Sequence, residues 1–167
     1  MKLVAREDKV LFYGVPSGSS GSVTYAYKRA QGFTDASKSH NPVEYNRRYV
    51  DEKAARTNVV GYEPSIAFAF DQILDNDVHE DIVGIIDGEK INDEATRPLI
   101  MVDLTTKTGD VGSETYTGYK RDFSIIPSSE GGSTDAYTYS GDFKANGEVT
   151  TVTGTLSADG FTFTPTV

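Results

Sequence analysis

The stretch Ser65-Ile66-Ala67-Phe68-Ala69-Phe70 sets large side chains at every second position with alanines between them. A repeat of two is that of a β-strand, so the run predicts a strand with one face buried under Ile66, Phe68 and Phe70. Moving outward, further strands are expected over 22–27, 43–50, 58–62, 98–105, 116–126, 136–143, 149–156 and 161–165, and these segments dominate the chain. Ten Tyr and eight Phe, with frequent Thr and Val and no Trp, agree with that reading, because aromatic and branched side chains suit a pleated, half-buried surface. Asn146-Gly147 lies between two such runs, and Asp159-Gly160 repeats the pattern. Tight hairpin turns need central residues that accept positive φ, so the last quarter is predicted to be a meander of hairpins.

One helix is predicted near Asp75-Asn76-Asp77, where a side-chain oxygen can cap free backbone N–H groups and acids suit the positive end of the helix dipole. Val78, Ile82, Ile85 and Ile86 then recur at helical spacing; Gly84 weakens the run and Gly88 marks its stop. A lone amphipathic helix must bury its stripe on a sheet. The expected fold is therefore mainly β, an antiparallel β-sandwich or barrel with one flanking α-helix. Residues 16–22 and 128–135, rich in Gly and Ser, read as loops. Residues 36–57 differ: Lys38, Glu44, Arg47, Arg48, Asp51, Glu52, Lys53 and Arg56 mix both signs along a long excursion. Long connections in a small domain are often functional, although a solvated loop would carry the same charges.

The 167 residues fit one domain, taken as 1–167, that can bury a core without staples. There is no cysteine, which excludes a disulfide framework, a thiolate metal site and a cysteine nucleophile. Charged residues interrupt the first eight positions before any signal-peptide core could form, and no apolar run is long enough to span a bilayer. The expected product is soluble, made in a cytoplasm and not inserted in a membrane. A net charge of -9 and an isoelectric point near 4.6 argue against a protein that grips phosphate backbones. They suit a surface past which DNA slides, though ordinary solubility also accounts for them.

No catalytic, cofactor-binding or metal-ligating set emerges. The glycines of 14–21 lack the Lys-Ser or Lys-Thr pair of a phosphate loop. Asp75, Asp77 and Asp81 hint at a calcium loop, but Glu80 stands where glycine is required, and helix capping explains the acids. His40 and His79 are the only histidines and fall in no ligand spacing; His79, on the first helical turn, is expected to face solvent. Dispersed paired carboxylates, which sequence spacing does not reveal, leave an enzyme as one alternative.

A run of short motifs carries a resemblance. Asp51-Glu52-Lys53, Arg56-Thr57, Gly61-Tyr62-Glu63-Pro64-Ser65-Ile66, Phe68 and Phe70-Asp71 precede Asp77-Val78 at the helix start. Thr96-Arg97, Tyr139-Ser140-Gly141, Gly154-Thr155 and Phe161-Thr162-Phe163 follow. This order, over residues 43–167, resembles the major tail (tail tube) proteins of long-tailed, non-contractile bacteriophages of Gram-positive bacteria. The resemblance implies a non-enzymatic virion protein without cofactors. Its β-sandwich would form hexameric rings that stack into a tube, the conduit for genome ejection. It further implies assembly in the host cytoplasm, residence in the virion tail, and contact with tape-measure, terminator and tip proteins while DNA passes without specific binding. On that reading Tyr45, Arg47, Arg48, Asp51, Lys53 and Arg56 of the excursion are the candidate subunit contacts. The rival is a carbohydrate-binding β-sandwich or virion surface module using Tyr and Phe as stacking platforms. The absence of Trp and of a calcium loop argues against it.

Overall fold

Val10, Leu11, Phe12 and Tyr13, four consecutive residues of the first strand, β1 (Lys9–Ser17), are all buried. Successive side chains of a strand point to opposite faces, so this run needs cover on both sides. The computed structural model, which describes residues 1–18, 21–132 and 134–166, supplies it with two cores divided by β1. The chain continues through β2 (Thr24–Arg29), β3 (Phe33–Ser39), β4 (Pro42–Arg47), β5 (Arg56–Tyr62), β6 (Ser65–Asp71) and α1 (Asp77–Asp87). It ends with β7 (Thr96–Thr108), β8 (Thr115–Gly131), β9 (Thr138–Ala145), β10 (Thr150–Leu156) and β11 (Thr162–Pro165).

Strands β1, β2, β11, β10, β8 and β7 pair antiparallel in that cyclic order, and β7 returns to β1 to close a six-stranded barrel. Closure removes the unpaired edges that open sheets expose. Val10, Phe12, Tyr27, Ile100, Val102 and Phe163 fill the interior, with the Phe12 and Phe163 rings 5.6 Å apart. Gly154 must be small, since a Cβ there would lie 2.6 Å from the Phe163 ring.

The 17-residue β8 is long enough to belong to two sheets. One of its edges pairs with β7; the other pairs with β10 through residues 116–120 and with β9 through 123–131. Beyond β9 come β6 and then β3, whose outer edge pairs with no other strand among the described residues. This sheet covers the outer face of β1 and β7, where Ile66, Phe68, Phe70 and Phe143 meet Leu11, Tyr13 and Leu99. Helix α1 closes one end with Val78, Ile82 and Ile85. The expected class is thus observed: a mainly β antiparallel barrel with one flanking helix.

Several local expectations change. Strands β1 and β3 were not legible as such, and the segments read as loops enter strands at Pro16-Ser17 and at residues 128–131; residues 19, 20 and 133 lie outside the described set. The strand expected over 43–50 stops at Arg47. Asp159-Gly160 does turn the β10–β11 hairpin, but Asn146-Gly147 makes no hairpin. Strands β9 and β10 follow one another along the same edge of β8: Phe123 faces Ala145 and Lys120 faces Thr150, so five steps of chain oppose three. The surplus forms a bulge, with Gly147 at φ 133°, and the strand line bends from the outer sheet into the barrel instead of reversing.

Polar contacts set the helix in place. Asn76 caps it, its Oδ1 accepting from the N–H groups of Val78 (3.1 Å) and His79 (3.2 Å). Asp81 accepts from Arg97 Nε (2.8 Å) and Nη2 (3.1 Å) and from the Tyr13 hydroxyl (2.5 Å), joining α1 to β7 and β1. Arg97 Nη1 donates to the carbonyls of Glu94 and Thr96. Tyr139 donates to Asp87 near the helix C-terminus. Burial and the adjacent Asp81 raise the Tyr13 pKa well above its ordinary value, and burial with Asp87 pushes Tyr139 up to about 12, so both stay protonated donors.

His79 overturns its expectation: it is fully buried, stacked on Phe70 at 4.3 Å. Its Nδ1 accepts from the Ile73 N–H (3.0 Å), which leaves Nε2 to donate to the Gln31 carbonyl (2.7 Å). Position 79 lies three before Ile82, on the apolar stripe, so the ring turns inward. Burial lowers its pKa, with the Gln31 bond opposing.

Two outcomes follow for stability. Asp81→Ala leaves Arg97 a buried unpaired charge and should cost about 3–5 kcal/mol in urea unfolding; an unchanged midpoint would show that the triad contributes nothing. A histidine whose folded-state pKa is depressed gives stability that is present above its unfolded value of about 6.5 and is lost as pH falls through the folded value. Unfolding midpoints between pH 7.5 and 5 should therefore fall less in His79→Gln than in the unaltered chain.

Candidate assembly surface

The charged excursion at residues 36–57 is built as the end of β3, all of β4, a turn and the start of β5. Among the described residues, strands β4 and β5 pair with each other alone, in a two-stranded sheet separate from the main one. All of β4 is exposed, as is β5 apart from Gly61. A lone hairpin in water is marginal at best. This one also displays Val43, Tyr45, Val59, Val60 and Tyr62, and Val50 stands fully exposed in its turn. Such a surface fits a hairpin covered by another molecule.

Pairing of Tyr45 with Asn58 and of Arg47 with Arg56 puts Tyr45, Arg47 and Arg56 on one face. Arg47 Nη1 donates to the Tyr45 hydroxyl at 3.0 Å. Arg56 donates to Glu52 through Nε (2.9 Å) and Nη2. Both guanidinium groups approach the Tyr49 ring, at 6.0 and 5.8 Å from its centroid, within cation–π range. Arg48, Asp51 and Lys53 lie exposed in the turn and are not drawn into this cluster. The resemblance named these residues as contacts; the shared face of 45, 47 and 56 follows from the strand register, which sequence reasoning did not supply.

Where the hairpin leaves the body, sequence reasoning missed a pocket. At the end of the second core remote from α1, Leu11, Ile66, Leu99, Met101 and Phe123 wall a cavity of about 210 Å³, with Lys38, His40, Tyr62 and Arg121 at its margin. Among the described residues no carboxylate lines it. Arg121 Nε is buried and meets no acceptor among the described residues. Desolvation, and then the charge of Arg121, lower the Lys38 pKa. Two cations thus face an apolar hollow with no counter-charge among the described residues.

No protein-family model and no curated protein matches the sequence. Among solved structures the fold matches a chain of the tail of an empty GTA particle, described with C6 symmetry, at 14% identity and a TM-score of 0.58. That alignment covers 89% of this chain and 98% of that one. A chain of the anti-feeding prophage tube terminating cap aligns at 11% identity and TM-score 0.48, over 90% and 91% of the two chains. One from the PVC sheath/tube terminator of an extracellular contractile injection system aligns at 13% and 0.47, over 90% and 97%. The fold is therefore one found in a six-fold symmetric tail.

Because its charges are exposed, the hairpin should be dispensable for folding. The double variant Arg47→Glu/Arg48→Glu should unfold within about 0.5 kcal/mol of the unaltered chain; a larger loss in thermal or urea melts would place the hairpin in the core's stability.

Proposed function

We propose that this chain, as a single domain over 1–167, is the tail tube subunit of a long-tailed, non-contractile bacteriophage of a Gram-positive host. Six copies form a ring, rings stack into a tube, and the tube conducts the genome at ejection. The role is structural and needs no catalytic residue or cofactor. The observation that carries this reading is the near end-to-end match of the fold to a chain of a C6-symmetric tail. The hairpin supports it, since an exposed strand pair bearing apolar and charged groups of both signs suits a heterologous contact repeated around a closed ring. Tyr45, Arg47, Arg48, Asp51, Lys53 and Arg56 then contact a neighbouring subunit. Tape-measure, terminator and tip proteins bound the tube, which is assembled in the host cytoplasm and resides in the virion tail.

Immunolabelling of virions with antibody against the purified chain should decorate the tail shaft along its length. Label confined to the capsid or the tail tip would refute the tube assignment and favour a surface module. In phage complementation, Arg47→Glu/Arg48→Glu should abolish tails; tails of normal length would remove the hairpin from the interface.

A further inference from the structure

We propose that the pocket walled by Leu11, Ile66 and Phe123 is the socket for the Leu74-Asp75 turn of a second copy, Leu74 entering the hollow and the Asp75 carboxylate pairing with Lys38 and Arg121. The inference rests on the ring stacking proposed above and names the contact that would carry it.

The chemistry of the socket specifies its occupant. An apolar cavity with two uncompensated cations at its margin, one with a buried N–H lacking an acceptor, calls for an apolar side chain next to a carboxylate. The turn after β6 offers that pair. Leu74 is 83% exposed, and Asp75 beside it is exposed. Asp71, Asp77 and Glu80 flank them; Lys28 and Arg29 line the hollow beside Asp75 and Asp77 but form no ion pair with them among the described residues. The turn is also held in shape: the Ile73 N–H is fixed on buried His79, and Asp75 takes the left-handed φ of 58°. A preorganised knob loses little freedom on docking.

Position supplies the second argument. Pro64 and Ile66, at the start of β6, line the socket, whereas the knob follows the end of the same strand. Seven residues of strand separate the two by about 20 Å. Complementary surfaces at opposite ends of a subunit generate an open head-to-tail stack, the contact that successive rings need. Other exposed apolar residues beside acids lie on the socket's own side: Val43, Tyr45 and Val50 with Glu44 and Asp51 are on the hairpin that departs from its margin at His40 and Tyr62, Tyr62 and Val149 line it, and Val111 beside Asp110 is in the β7–β8 turn past Tyr119 and Arg121, so a stacked copy does not bring them to the socket.

The chain has no cysteine, so an introduced pair reports the contact without background. Concentrated His40→Cys/Leu74→Cys protein under mild oxidation should give a ladder of disulfide-linked multimers, while each single variant gives at most dimers. Lys38→Glu or Asp75→Lys added to that pair should lower the ladder yield about tenfold, and both together should restore it, as expected when like charges are opposed and then re-matched. Circular dichroism melts confirm that each variant is folded. Absence of the ladder under conditions where the unaltered chain forms rings or tubes by negative-stain microscopy would overturn the socket and leave the stacking intact. Absence of ladder, rings and tubes alike would overturn both. A ladder from His40→Cys/Val50→Cys in place of His40→Cys/Leu74→Cys would assign the socket to the hairpin tip and overturn the proposal.

Discussion

The structure depends on one strand being buried on both faces. Val10 and Phe12 point into the barrel while Leu11 and Tyr13 point beneath the outer sheet, so β1 is a wall common to two cores. Burying a large apolar side chain stabilises by about 1.5–3 kcal/mol, so neither face of β1 can be left to solvent. The barrel must close on one side, and the sheet β8-β9-β6-β3 with α1 must cover the other. Strand β8 answers both demands because its length lets one half serve the barrel and the other the outer sheet. The Asp81–Arg97–Tyr13 contacts then fix the helix against the shared wall.

What the sequence made legible follows from which interactions are local. The alternation at Ile66, Phe68 and Phe70 records one buried face and one covered by small residues, and it is observed in β6. Asn76 and the Val78, Ile82, Ile85 stripe define α1 because capping and helical spacing act within a few residues. β1 escaped since a strand buried on both faces has no period of two, and Gly14 drew attention to a loop instead. β3 escaped for the opposite reason: Phe33-Thr34-Asp35-Ala36-Ser37-Lys38-Ser39 is an edge strand with little apolar signal. Asn146-Gly147 misled because a turn propensity is local, whereas the ladder offered by β8 lies more than twenty residues upstream and captures both flanking segments.

The candidate surfaces divide in the same way. Charge along 36–57 marked the hairpin, since solvated charges need no tertiary partner to be recognised. The socket was invisible: Lys38, Ile66, Leu99 and Arg121 are scattered in sequence and meet only through the register of four strands. His79 could have been found, because its place three residues before Ile82 puts it on the buried stripe; its polarity at a helix start suggested solvent instead.

Closure of the barrel changes where association can act. An open sheet would offer hydrogen-bonding edges all round, but the six barrel strands pair with one another, so that the outer edge of β3, the detached hairpin and the ends of β1 and β8 that outrun β7 are the strand edges without a partner among the described residues. On β3 even part of that edge is used, as Arg6 Nη2 donates to the Ala36 carbonyl at 3.1 Å. Association cannot then rest on backbone pairing around the whole subunit, and must draw on side chains gathered at particular places. The net charge of -9 means that copies repel at long range. Contacts between them need local cations set against acids, and Lys38, Arg121, Arg47 and Arg48 all lie at or beyond the end of β6 from which the hairpin springs. The acids around Leu74 lie at the other end. Each end also carries the opposite sign, with Glu44, Asp51 and Glu52 on the hairpin and Lys28 and Arg29 beside Asp75 and Asp77, so any order between copies would rest on the local pairing of particular side chains and not on a net polarity of the subunit.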